Sequence, residues 1–364
     1  MQIKDIIQFL EQFAPLPYQE SYDNSGLLVG DHTHELTSAL LTLDVTEEVI
    51  DEAIVNKCNL IVAHHPLIFK GLKSLTGKHW VERCVIKAIK HDIAIYAIHT
   101  NLDNVHLGVN KRICGKVGLT NVKTLSPKSE VLTKLTTFIP TKDTDKVLET
   151  LYEAGAGEIG NYDHCSFQVN GTGTFRPGEE TNPHIGTKNT DETVDEKRVE
   201  VIFPTFLSGR ILNALNQSHP YEEVAYYLTP LANKNQEVGS GMIGELPEAE
   251  NASEFLARLK KTFQTECVRH TAIYQETVKK IAVCGGAGSF LLNKAISSKA
   301  DIFITGDFKY HEFFEADKQI IVADIGHYES EQFTKDLLYD ILSEKLTNIA
   351  LRLSEVQTNP INYL

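Results

Sequence analysis

The stretch NLIVAHHPLIFKG, residues 59–71, decides how the chain is read. Leu60 to Ala63 form an apolar run too short for a helix, of the kind that a parallel strand buries on both faces. His64 and His65 follow at once, and packing gives no reason for two adjacent imidazoles there. Pro66 then pushes His65 toward extended geometry. Ligands gather at the carboxyl ends of parallel strands, so this segment predicts an α/β sheet with a metal-type site at its rim.

On either side of it, LTSALLTLDV (36–45) and IAIYAIHT (93–100) read as further buried strands. Helical stretches separate them. TEEVIDEAIVNK (46–57) is one. HWVERCVIKAIK (79–90) is another, with Trp80, Val81, Cys84, Val85, Ala88 and Ile89 on one side. Ile3, Ile6, Ile7, Leu10 and Phe13 make an amino-terminal helical stripe. From Gly239 the alternation resumes. ASEFLARLKKTF (252–263) is helical, and KKIAVCGGAGSFLLNKAI (279–296) reads as strand, glycine turn and helix. ADIFITGD (300–307) and IIVADIGH (320–327) are strands, and SEQFTKDLLYDILSEKL (330–346) is a closing helix. The pair DIFITGDFKYHEF and QIIVADIGHYESE echoes NLIVAHHPLIFKG and IAIYAIHTNLD, which suggests two similar halves or a chance likeness of apolar strands.

Between the halves a different order begins near Val131. KLTTFIP (134–140), HCSFQVNGTGTF (164–175), RVEVIFP (198–204) and VAYYLTPL (224–231) read as strands. DTDKVLETLYEAG (143–155) and FLSGRILNALNQSHP (206–220) read as helices. The order βαββαβ is ferredoxin-like. Residues 178–196, polar and acidic, read as an exposed loop. The expected architecture is therefore a split three-layer α/β domain, residues 1–128 with 236–364, interrupted by a ferredoxin-like insert, 129–235.

Six residues stand at the ends of the site strands: His64, His65, His99, Asp103, His327 and Glu331. Asp103 lies four residues beyond His99, and Glu331 four beyond His327, so each pair shares a helical face if a helix starts there. Imidazole and carboxylate without thiolate suit zinc, iron or manganese. His64, His65, Asp103, His327 and Glu331 exceed one tetrahedral site and suit two divalent ions with a bridging carboxylate, for which Asp103 is a candidate. His99, or His311 of YHE, is expected to donate a proton or orient a ligand, with Asp307 and Tyr310 lining the pocket. His79, His91, His106, His184, His219 and His270 read as surface or satisfied core residues. Gly285 to Ser289 either present amides to a phosphate or make a tight strand–helix turn. Asn24-Ser25-Gly26 reads as a turn.

Composition narrows the function classes. The chain has 364 residues, 42% hydrophobic and 23% charged, enough to bury a core. Its formal charge of −14 argues against nucleic acid and an anionic membrane as partners. Six scattered cysteines with no C-x-x-C argue against a zinc ribbon. With no secretion signal at the amino terminus, reduced thiols and a cytoplasmic location are expected.

Taken together, AHHPLIF (63–69), HTNLDN (99–104), YDNSGLLVG (22–30), CGGAGS (284–289), ITGDFKYHE (304–312) and GHYESE (326–331) resemble the Nif-three-like family, whose members are called GTP cyclohydrolase I type two homologues. The resemblance spans both α/β portions in order. It implies a dinuclear metal site on His64, His65, Asp103, His327 and Glu331, a PII/CutA-like insert, and a homohexameric toroid with its metal sites facing an internal cavity. It also implies a metal-dependent hydrolase acting on a small molecule. The competing expectation is a non-enzymatic metal-binding assembly or regulatory protein whose insert binds an effector or partner.

Overall fold

The computed structural model of the chain describes residues 1–346 and 349–364. They divide into two compact units, Met1–Pro127 with Gln236–Leu364, and Lys128–Asn235.

The first unit contains two sheets. In the five-stranded sheet the order is Gly26–Val29, Ala94–Ala97, Leu60–Ala63, Ser38–Thr42 and Ala350–Leu353. Only Gly26–Val29 runs antiparallel to its neighbour. SALLT, LIVA and AIYA are buried at every position, which is why they appear in the sequence as unbroken apolar runs. In the six-stranded sheet the order is Arg269–His270, Ile321–Asp324, Ile302–Gly306, Thr277–Ala287, Asn235–Asn251 and Thr120–Lys128. Its central trio is parallel, and Arg269–His270 runs antiparallel to Ile321–Asp324. At one end the two sheets match, with an antiparallel edge strand followed by three parallel ones; beyond these the first sheet adds the parallel Ala350–Leu353 and the second the antiparallel Asn235–Asn251. The paired strands Leu60–Ala63 and Ala94–Ala97 in one correspond to Ile302–Gly306 and Ile321–Asp324 in the other. The chain has two similar halves.

Local chemistry sets the helix starts. Asp5 accepts the Gln2 amide at 2.8 Å and opens Ile3–Phe13, which buries Ile3, Ile6, Ile7 and Leu10. Thr46 caps Glu47–Val55, and Asn251 caps Ala252–Thr262. The His79 ring accepts the Val81 amide and caps Trp80–Lys90. Past Leu353 the chain is pinned to the first sheet's side of the fold: Ser354 Oγ donates to Glu52, and Thr358 Oγ1 donates to Asp44 at 2.6 Å. Among the described residues no helix is long and apolar enough to cross a membrane.

Three stretches differ from the sequence reading. YDNSGLLVG contains a strand, Gly26–Val29, as well as a turn. Thr120–Lys128 and the 17-residue Asn235–Asn251 are strands that the sequence hid. The second of these carries Gly239, Gly241, Gly244 and Pro247, residue types that ordinarily interrupt a strand. Gly239 is needed because a Cβ there would lie 2.3 Å from the Ser126 carbonyl oxygen, on the neighbouring strand.

The second unit has elements in the order Leu132–Pro140, Thr144–Glu153, Phe167–Phe175, Glu192–Pro204, Ser208–Ser218 and Tyr226–Leu231. Its four strands are antiparallel, in the order Phe167–Phe175, Glu192–Pro204, Leu132–Pro140, Tyr226–Leu231. Leu135, Ile139, Val199, Val201 and Phe203 pack against Val147, Leu151, Ile211 and Leu215 of the two helices. The polar stretch 178–196 is not all loop, because Glu192 already starts a strand. Its outward positions face away from the helices, so their polar residues masked the alternation.

Thr120–Lys128 and Asn235–Asn251 are neighbours in their sheet, so the chain leaves and re-enters the first unit close to one place. Joining Lys128 to Gln236 through a short Gly/Ser linker is expected to give a soluble protein with unchanged metal content. Metal loss from a folded deletion, measured by elemental analysis, would contradict this.

Candidate metal centre

The four strand-end histidines are all oriented the same way. His64 Nδ1 donates to the Ile98 carbonyl at 2.8 Å. The Nδ1 atoms of His65, His99 and His327 each meet a carboxylate at 2.7 Å, from Asp44, Asp23 and Asp307 respectively. With Nδ1 tied down, Nε2 is the atom left to coordinate, the usual outer arrangement of a metal-binding imidazole. The rings cluster, with His64–His65, His64–His99 and His65–His327 centroids 5.0, 5.3 and 5.2 Å apart.

Three groups have ligand atoms close enough to hold an ion: His64, His65 and His99, and two that include a carboxylate, His64, Asp103 and Glu331, and His65, His327 and Glu331. Glu331 belongs to both of the latter. Its Oε1 lies 3.9 Å from His64 Nε2, and its Oε2 lies 3.0 Å from His65 Nε2 and 3.2 Å from His327 Nε2. The carboxylate shared by the two groups is therefore Glu331 rather than Asp103. The short helix His327–Glu331 begins early enough to put its first and last residues on one face.

His64 Nε2 and Asp103 Oδ1 test whether this donor set fits a cation. Both are buried without a hydrogen-bond partner, 3.6 Å apart. His64 already donates from Nδ1, so its Nε2 presents a lone pair to a carboxylate oxygen. Two acceptors facing each other out of water are costly, and a cation between them removes the cost. The five-residue set fits divalent metal.

Burial pulls the His65 imidazole down, but its bonds to Asp44 and Glu331 outweigh this and push it up to about 9. His327 is likewise pushed up to about 11 by Glu331 and Asp307 against the cost of burial. Burial and the nearby Glu331 charge push the Asp103 carboxyl up to about 7. Burial opposes ionisation of Glu331, but His327, His64 and His65 hold it well below the usual range.

The surrounding residues divide into supports and bystanders. Asp23 has a fully buried side chain, which also accepts the Thr100 amide at 3.0 Å and the Thr100 hydroxyl. Sequence spacing gave no sign of Asp23 or Asp44, since each meets an imidazole on a neighbouring strand that lies far along the sequence. Asp307 holds His327. His311 is exposed beside Tyr310 and Phe314, outside all three groups. The glycine turn does not cradle phosphate with these amides: Gly285, Gly286 and Gly288 donate to Asn110, Ser330 and Thr305 side chains. Burial and the Asp103 and Glu331 charges push the Cys284 thiol up, so it stays protonated. His219 is a satisfied core residue, held by the Phe138 carbonyl and the Tyr221 amide.

Residues 1–360 match the model of the Duf34/NIF3 (NGG1p interacting factor 3) family. A Halalkalibacterium halodurans protein named GTP cyclohydrolase 1 type 2 homolog is 39% identical, with 99% of this chain and 98% of that protein covered. A Bacillus subtilis protein of the same name is 37% identical over 99% of this chain and 98% of its own length. Among solved structures, a Bacillus cereus protein related to NIF3 superposes with a TM-score of 0.88 at 36% identity, covering 100% of this chain and 99% of that one. Whole-length matches of sequence and fold, with motifs that assemble one centre, place the chain in the Duf34/NIF3 (NGG1p interacting factor 3) family.

Proposed function

We propose that the protein is a hydrolase whose centre binds two divalent cations, one through His64, Asp103 and Glu331 and the other through His65, His327 and Glu331. The observation that carries this is the buried, unpartnered facing of His64 Nε2 and Asp103 Oδ1. Nitrogen and oxygen donors without thiolate favour zinc, iron or manganese. Bound as a pair, such ions activate water and polarise the bond under attack.

The chain's own residues supply the rest. Asp44 and Asp307 fix the rings of His65 and His327. Asp23 holds the Nδ1 proton of His99 and so leaves Nε2 free to take a proton from the attacking water or return it to the leaving group. The burial of His64 and Glu331 keeps bulk water from the inner side of the centre. The name carried by the relatives makes GTP the first substrate to try, followed by other nucleotides, phosphodiesters and cyclic amides. The proposal also takes residues 129–235 as a ferredoxin-like insert, supported by the βαββαβ order and antiparallel sheet.

Turnover of that panel by metal-defined protein is the test. His99→Gln is expected to lower kcat by about 10²–10⁴-fold while leaving metal content unchanged. A flat panel with both ions bound would overturn the hydrolase reading.

A further inference from the structure

The helix-free face of the second unit's sheet carries a cleft of about 630 Å³. Strand register shows what lines it. Val169, Arg198 and Phe138 lie opposite one another across three strands, and Gly171, Glu196 and Pro140 form the next row. Directly paired residues share a face. The intervening Val199, Val201, Leu135 and Ile139 belong to the core on the other face. Gly171 and Gly173 leave the floor bare, and Phe175, Tyr221 and Tyr227 supply aromatic walls. The segment after Phe175 closes over it, held by Asn189 N donating to the Pro177 carbonyl and Asn182 N donating to Glu222. The volume lies within the range of small-molecule sites.

Charge selects the occupant. Arg176 is held by Asp191 through two bonds of 2.7 and 2.6 Å, and Arg198 by Glu200 at 2.5 Å. Each therefore has its charge offset by a carboxylate. Glu196 is only 8% exposed, and its Oε1 accepts the Tyr221 hydroxyl at 3.0 Å. Among the described residues no Lys, Arg or His pairs with it. Its Oε2 overhangs the bare Gly173, where a Cβ would come within 2.1 Å of it. A carboxylate this buried, without a cation, facing an aromatic-walled cleft lacks its natural counterpart.

We propose that this cleft binds a small organic cation with a planar N–H-donating head, an amidine, guanidine or protonated amino-heterocycle, whose head meets Glu196 and whose apolar body lies against the aromatic walls. This site is separate in composition from the metal centre, since every residue lining it belongs to Lys128–Asn235. A phosphate-bearing ligand would instead meet Glu196, Glu222 and Glu223 with both arginines already engaged.

Calorimetric titration of the full chain with benzamidine tests it, with neutral benzamide and inorganic phosphate as comparisons. Benzamidine is expected to bind, benzamide about tenfold more weakly or worse, and phosphate not to compete with benzamidine. Glu196→Gln keeps the shape and can still accept from Tyr221, and should weaken benzamidine about tenfold or more. Gly171→Val fills the floor from a position where a Cβ meets nothing within 4 Å, on a strand that favours valine, and should abolish binding in a folded protein. No heat with benzamidine, equal affinity for benzamide, competition by phosphate, or unchanged binding in either variant would overturn the proposal.

Discussion

Glu331→Gln is expected to strip divalent metal from both halves of the centre, while His327→Ala strips it from one. The asymmetry follows from geometry. The two Glu331 oxygens face different groups, one toward His64 and Asp103, the other toward His65 and His327. His327 belongs to one group only. Glutamine keeps the shape and loses the charge, so affinity should fall by at least about a hundredfold, beyond the effect of losing an outer-shell partner. The exchange Glu331→Gln with Gln332→Glu should not rescue it. One residue turns the side chain by about 100°, and Gln332 already points elsewhere, donating to the Phe263 carbonyl at 2.8 Å. Elemental analysis after gel filtration reads the outcome. Full metal content in Glu331→Gln, or in the exchanged variant, would remove Glu331 from the shared position.

The sequence made the centre's inner residues legible because each follows a strand buried on both faces. LIVA, AIYA and IVA are short apolar runs, and the polar residues that follow within a few positions stand out against that background. The spacing of four gave Asp103 and Glu331. The carboxylates that orient the imidazoles were not legible in the same way. Asp23 reaches His99 across 76 residues and Asp44 reaches His65 across 21, and no local period encodes either contact. Asp44 could have been found by its place at the end of LTSALLTLDV, the same edge of the same sheet. Asp23 could not, because its strand, Gly26–Val29, runs antiparallel and follows it. The long strand Asn235–Asn251 was hidden by its glycines, which are there for close backbone approach rather than for turns. The floor of the second unit's cleft, Gly171 and Gly173 beside Glu196, was read as part of a strand, with no sign that a cleft opened on that face.

Gly286→Ala is expected to empty the centre without replacing any ligand. Gly286 sits at φ +60°, where an L side chain costs about 1–2 kcal/mol. An added Cβ would lie 2.6 Å from Glu331 Oε1 and 3.2 Å from His327 Nε2. Neither neighbour can give way cheaply. The Glu331 carboxylate is held between His65 and His327, and His327 is anchored from behind by Asp307. Such overpacking costs roughly 1–3 kcal/mol where it can be absorbed. The two costs fall on the same few residues, so relief means moving the shared carboxylate. Thermal unfolding should show the loss of stability, and metal analysis should show loss from both groups, as in Glu331→Gln. Gly115→Ala is the control: it sits in the helix Val109–Val117, which packs beside the same strand, and a Cβ there meets nothing within 4 Å. It should keep its metal and lose little stability, since alanine suits a helix better than glycine. Equal metal content in Gly286→Ala and the control would mean that Glu331 can move without cost, and the shared geometry would then not be what binds the ions.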